Sequence, residues 1–153
     1  MRREPLIHQF YGMACTWEIR IWDELSPNRT STLILQIEKD AAEFESFYSR
    51  FKEDSLLKRV EKEVGRHEVP ADFIAMLRIY EGFYTASAGA FSPLVGGLLS
   101  DIGYDRDYRL TPLDQIQDVP SLGDSISIVN ENTLEIHKPI SLDLGGIGKG
   151  YFC

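Results

Sequence analysis

The chain has 153 residues, 43% of them hydrophobic and 11% aromatic, enough apolar material for a real core, which argues against disorder. Sixteen basic residues against twenty-four acidic ones give a net charge of −8, and no stretch interleaves Lys and Arg with aromatics as a nucleic-acid surface would. Cys15 and Cys153 are too few for a disulfide framework, and His8, His67 and His137 are scattered without zinc-ligand spacing.

Gly12-Met13-Ala14-Cys15 faintly resembles a lipoprotein processing site, but Arg2 to Tyr11 contains Glu4, Pro5, His8 and Gln9 and no apolar run long enough for a signal. With no stretch of membrane-spanning length either, the expectation is a soluble, cytoplasmic chain. From Thr16 to Trp22 the pattern alternates, Trp17, Ile19 and Ile21 against Glu18 and Arg20, and predicts a half-buried first strand. After Ser26-Pro27-Asn28, the residues Leu33, Ile34, Ile37, Ala41, Phe44, Tyr48 and Phe51 recur at helical spacing and predict an amphipathic helix packed on the sheet.

Ser55 is placed to cap a short helix, and Val69-Pro70-Ala71-Asp72 opens another whose apolar face runs from Phe73 through Met76, Leu77, Tyr80 and Phe83 to Tyr84. Glycine stops it near Ser87-Ala88-Gly89. The following Gly89 to Gly97 reads as a tight loop, built either for close packing or for a ligand to approach its backbone. Asp101 to Asp124 reads as a surface excursion with one short strand near Tyr108 to Leu110. A hairpin follows, Ser125 to Val129 and Thr133 to His137 around Asn130-Glu131-Asn132, and then a strand from Ile140 to Leu144. No repeat or linker interrupts the chain, so a single domain over residues 1–153 is expected.

That last strand runs into Asp143-Leu144-Gly145-Gly146-Ile147-Gly148-Lys149-Gly150-Tyr151. Glycines remove the Cβ atoms that keep a ligand off the backbone, so the segment reads as a phosphate-holding turn of free amides, helped by the charge of Lys149. It is not a nucleoside-triphosphate loop, because five residues before Gly148 stands Asp143 and Gly150 follows the lysine. Nor is it the dinucleotide fingerprint, whose sixth position would be Tyr151. A glycine-rich corner with a solvated lysine is the purely structural alternative. Asp143 admits two readings, a helix cap or a group that binds ligand or a metal's water shell.

Four segments together resemble the flavin transferases of the ApbE family. Phe10 to Ile19 is similar to the family's Met-Gly-Thr strand opening, and Phe47 to Ser55 to its Ser-x-Tyr/Phe-x-x-x-Ser segment. Thr85 to Gly96 resembles the Gly-Ala-Phe-Asp-Pro-x-Val-Gly loop, and Leu142 to Tyr151 the Asp-Leu-x-Ala/Gly-Ile-x-Lys-Gly-Tyr turn. The resemblance implies an α+β fold, a mixed sheet with packed amphipathic helices, of which these residues are the amino-terminal part. It implies that Met13 and Phe51 line a flavin site, that Ala90, Phe91 and Ser92 contact FAD, that Asp143 and Lys149 also bind it, and that Gly146 gives its carbonyl to Mg²⁺. The implied reaction is Mg²⁺-dependent transfer of FMN from the substrate FAD to a Thr or Ser hydroxyl of an acceptor flavoprotein, with release of AMP.

The chain departs from the family pattern where Ala14-Cys15 replaces Gly-Thr and where Ser92 replaces Asp. The family's further magnesium ligands, an Asp and a Thr among them, belong to a carboxyl-terminal half absent from these residues. No catalytic base is assigned, and the expectation is a fragment or truncated reading frame, inactive or nearly so by itself. Two other readings use the same pocket: a non-catalytic flavin- or nucleotide-binding module, and a Mg²⁺-dependent hydrolase that splits FAD into FMN and AMP.

Overall fold

A computed structural model describes residues 4–153; Met1 to Arg3, within which the Arg2–Tyr11 segment opens, lie outside it. The fold class is α+β, as expected. The chain divides between Phe47 and Tyr48 into two compact units, taken here in turn.

The first unit is a hairpin with a long helix. Strands β1 (Leu6–Gly12) and β2 (Cys15–Ile21) pair antiparallel from Leu6↔Ile21 to Gly12↔Cys15. The faces of β2 divide as its alternation predicts, with Trp17, Ile19 and Ile21 half-buried and Glu18 and Arg20 exposed. The strand ends one residue earlier than expected, and Trp22 is exposed. β1 itself was not expected, because Glu4, Pro5, His8 and Gln9 hide its alternation; it is fixed by its partner, with Phe10 stacked on Trp17. Only Met13 and Ala14 connect the strands, at φ 50° and 57°, the left-handed geometry that a two-residue hairpin turn demands.

Helix α1 (Pro27–Tyr48) presents Ile34, Ile37, Ala41 and Phe44 as its less exposed stripe. Leu33 is exposed and Phe51 lies beyond the helix end, two corrections to the periodic reading. His8 Nε2 and Glu38 Oε1, 2.7 Å apart, join β1 to α1.

The second unit holds the larger core. Ser55 caps α2 (Leu56–Glu61) as expected, its hydroxyl accepting the Lys58 N–H at 3.1 Å. Strand β3 (Gly65–Glu68), α3 (Ala71–Ala86), α4 (Gly96–Asp101), α5 (Leu122–Ser125), β4 (Ile126–Ile128), β5 (Thr133–Ile136) and α6 (Gly145–Phe152) follow. The expected hairpin is β4–β5, and β3 joins it on the far edge of β5, giving the antiparallel order β3-β5-β4. Among the described residues both small sheets are antiparallel throughout, so the mixed pairing expected of the sheet is not found.

α3 packs Phe73, Ile74, Met76, Leu77 and Tyr80 almost wholly out of solvent, and Leu57, Leu134, Ile136 and Leu142 of the same unit are equally buried. Phe83, expected on that face, is exposed. The helix ends in a Schellman closure: Gly89 N–H reaches Tyr84 O at 2.8 Å and Ala88 N–H reaches Thr85 O at 3.3 Å. The left-handed residue that closure needs is Ala88, at φ 51°, with Gly89 next at φ 89°.

Two expected strands are absent. Tyr108 and Leu110 have φ of 48° and 50°, which no strand tolerates. Residues 140–144 are held by other means: Ser141 O accepts Gly96 N–H, Leu142 N–H is bound by the Glu61 carboxylate, and Asp143 N–H donates to Pro93 O at 2.8 Å. Gly96 permits this approach, since a Cβ there would stand 2.8 Å from Leu142 O.

Candidate functional site

Glycine makes the first turn of α6 possible, but not by baring its amides. The run Gly145 to Gly150 is helix rather than loop. Its leading N–H groups are already satisfied: Gly145 donates to Asp143 Oδ1 at 2.7 Å, and Ile147 and Gly148 donate to Leu144 O at 3.1 and 2.7 Å. The amides of Gly146 and Ile147 also face the Tyr80 hydroxyl oxygen, which itself donates to Asp143 O at 3.1 Å. The expectation of a turn of free amides is thereby corrected. What the glycines supply is room: a Cβ on Gly146 would lie 2.9 Å from the Phe91 ring and 3.2 Å from the Tyr80 oxygen, and one on Gly145 2.8 Å from Asp143 Oδ1.

Asp143 stands one residue before the N-cap position of α6, which Leu144 occupies, and holds the helix's first amide; it does more. Its second oxygen, Oδ2, accepts from Arg50 Nε at 2.6 Å, with only 6% of the Arg50 side chain and 14% of the Asp143 side chain exposed. Arg50 also reaches Ser100 Oγ on α4 at 3.4 Å and donates to Tyr104 O. Its guanidinium lies 4.2 Å from the Phe51 ring centre and 4.9 Å from that of Tyr104. One buried cation therefore ties the segment after α1, the end of α4 and the entrance to α6 together. Removing such a charge from water is tolerable only with its donors satisfied. The sequence carried this residue within the Phe47–Ser55 motif, but its significance lies in a partner far along the chain.

The Ala90–Ser92 segment meets the same place from α3. Phe91 stacks on Tyr80 with ring centres 5.1 Å apart and lies against Phe83 at 5.5 Å. Its N–H donates to Ser87 Oγ at 2.9 Å, while buried Ser92 turns its hydroxyl to the Leu94 N–H at 3.1 Å and so caps the short turn Pro93–Val95. Close packing is thus realised in this loop: Pro93 and Leu94 are buried, and Ala90 alone of the three motif residues is exposed.

Burial pushes the Tyr80 hydroxyl well above the ordinary tyrosine range, and the adjacent Asp143 charge adds to this. Tyr80 is therefore a neutral hydrogen-bonding post and not an acid or base near neutral pH. Lys149, four residues after Gly145 and so on the same side of α6, is exposed and enters no ion pair among the described residues.

Phe91, Asp143 and Gly146 thus meet at the start of α6, Phe51 adjoins the Arg50 that holds Asp143, Ser92 caps the Pro93–Val95 turn with Ala90 exposed beside it, and Lys149 lies in the last turn of α6. Met13 belongs to the first unit, at the tip of the β1–β2 turn. Among the described residues, no group of three or more His, Cys, Asp or Glu side chains is placed to hold a metal. Gly146 offers one backbone carbonyl, and the nearest carboxylate is engaged by Arg50, so these residues alone do not fit Mg²⁺, which takes near-octahedral oxygen coordination. No described helix is long and apolar enough to cross a membrane.

Known proteins share this fold. Residues 13–153 match the model of the ApbE family. The fold is similar to the flavin transferase ApbE from Vibrio cholerae, with a TM-score of 0.78 and 20% identity over 97% of this chain and 50% of that one. It is similar to the ApbE protein from Thermotoga maritima, at 0.77 and 21% over 97% and 50%. The apo form of the Pseudomonas stutzeri flavinyl transferase ApbE gives 0.74 and 18% over 97% and 52%. The chain spans about half the length of these proteins. No curated protein matches the sequence significantly.

Proposed function

Because the chain belongs to the ApbE family, we propose that it is the FAD-binding part of a FAD:protein FMN transferase. The observation that carries the reading is the convergence of three family-like segments on the start of α6: Phe51 through its neighbour Arg50, Phe91 against Gly146, and Asp143 through both its oxygens. In this reading Phe51 lines the flavin, Ala90 to Ser92 and Asp143 contact FAD, and Lys149 lies against the diphosphate, whose charge it offsets locally in an acidic chain.

Transfer requires the oxygen of an acceptor Thr or Ser to bond to the FMN-side phosphorus while the bond from that phosphorus to the bridging oxygen breaks. AMP carries away that oxygen and its electron pair, and the acceptor's proton passes to a base. Mg²⁺ would supply charge neutralisation at the diphosphate. Gly146 would give it one carbonyl, its other oxygens coming from outside the described residues.

The lack of an acidic cluster among the described residues favours binding without turnover for these residues alone. Fluorescence titration of the chain with FAD should therefore saturate. Mass spectrometry of a threonine-bearing peptide incubated with the chain, FAD and Mg²⁺ should show no FMN adduct. Absence of saturable FAD binding would contradict the reading. Release of FMN and AMP without peptide modification would favour the hydrolase instead.

A further inference from the structure

We propose that the segment Asp101 to Leu113 is a strap that keeps the stacking surface of Phe51 covered, with Tyr108 standing where a planar ring of the ligand would lie. The inference rests on Phe51 being a flavin contact and adds a gate to it. Phe51 carries three neighbours: the Arg50 guanidinium at 4.2 Å, Tyr104 edge-on at 5.7 Å, and Tyr108 stacked at 5.8 Å with 27° between ring planes. Arg50 cannot yield its place, because it is buried and held by Asp143, Ser100 and the Tyr104 carbonyl. Tyr108 is held less firmly: nearly half of it is exposed, its ring meets Phe51 and Tyr104, its hydroxyl pairs with that of Tyr104, and its N–H donates to Asp105 O at 3.1 Å.

The strap is anchored at its base and strained at its tip. Leu110 N–H reaches Gly103 O and Leu113 N–H reaches Asp101 O, both at 2.8 Å, while Arg109 holds Ser100 O at 3.0 Å. Gly103 at φ 93° lets the two limbs meet, as a Cβ there would stand 2.4 Å from Thr111 N. Tyr108 and Leu110 occupy the left-handed region at φ 48° and 50°, a conformation that side chains other than glycine adopt reluctantly, and Asp105 closes the turn before them by accepting the N–H groups of Asp107, Tyr108 and Arg109, each at 3.1 Å. Leaving the covered state relieves that strain, whereas the Phe51–Tyr108 stack opposes leaving. A flavin ring supplies a larger planar surface to replace the tyrosine.

The test is a titration with FAD and, separately, with riboflavin, which has the ring without the diphosphate. Tyr108→Ala should bind both roughly fivefold more tightly than the unaltered chain, the worth of one aromatic pair, while Tyr108→Phe should behave like the unaltered chain. Leu110→Gly, which removes strain from an exposed position, should hold the strap closed and weaken both. Circular dichroism establishes that each variant is folded. Equal affinities across the series would overturn the strap and leave the flavin site standing, as would weaker binding by Tyr108→Ala, which would make Tyr108 part of the ligand's own stack. Failure of every variant to bind either ligand would overturn the flavin reading itself, and the strap with it.

Discussion

Arg50 and Asp143 stand 93 positions apart in the chain, yet Nε and Oδ2 meet at 2.6 Å in a largely buried ion pair. The same carboxylate holds the first amide of α6. The pair is therefore the latch between the segment after α1 and the helix on which the proposed site is built. Arg50→Gln leaves a buried carboxylate with its cap bond alone, and should lower the unfolding free energy by about 3 kcal/mol in urea. Adding Asp143→Asn to that variant should bring a further loss smaller than Asp143→Asn causes alone, because the partner is already gone.

The α6 glycines should divide sharply. Gly146→Ala drives a methyl toward the Phe91 ring and the Tyr80 oxygen and should destabilise by about 1–3 kcal/mol, by overpacking. Gly150→Ala meets nothing within 4 Å and should be neutral or stabilising by up to about 1 kcal/mol, from helix propensity. Melting temperatures of the two variants measure the contrast directly.

Ala14 and Ala88 both hold left-handed backbone, at φ 57° and 51°. Glycine adopts that conformation without the Cβ clash, so Ala14→Gly and Ala88→Gly should each stabilise by about 0.5–1 kcal/mol after the added flexibility of the unfolded chain is subtracted. A fall in melting temperature for either would show that its alanine methyl makes packing contacts worth more than the strain.

Alkaline pH should loosen the second unit. Burial raises the hydroxyls of both Tyr48 and Tyr80, and the Asp72 carboxylate, 2.6 Å from the Tyr48 oxygen, adds to the rise. The unfolded chain releases these protons near pH 10 and the folded chain only at higher pH, so above that point the folded state binds more protons. Stability is then complete below about pH 10 and falls as pH rises past it. Tyr80→Phe should flatten the decline, read as melting temperature between pH 8 and 11.

Lys149→Ala should leave the melting temperature unchanged, since the side chain is exposed, and weaken FAD binding about tenfold, the worth of one charge-assisted contact. Affinity equal to that of the unaltered chain would remove Lys149 from the site.

What the sequence discloses about this fold is what neighbours in sequence decide. The Ser55 cap, the β4–β5 hairpin and most of the α1 and α3 stripes, Leu33, Phe51 and Phe83 excepted, follow from spacing and local hydrogen bonding and are found. β1 and β3 escape because pairing creates them: Gly65 to Glu68 has no apolar residue and becomes a strand only against β5. Residues 140–144 mislead in the opposite sense, with strand-like composition but partners that are a carboxylate and a loop carbonyl. At the site, glycine density signals a close approach and suggests free amides, whereas the leading amides of α6 are engaged within the fold. What approaches Gly146 within the fold, the Phe91 ring and the Tyr80 hydroxyl of α3, depends on packing that no local pattern encodes.

The account stands most directly on where FAD lands. Amide chemical shifts of the isotope-labelled chain, followed by two-dimensional NMR as FAD is added, should move together and saturably at Phe51, at Ala90 to Ser92, and from Asp143 to Lys149. Saturable shifts confined to other residues, or none at saturating FAD, would contradict it.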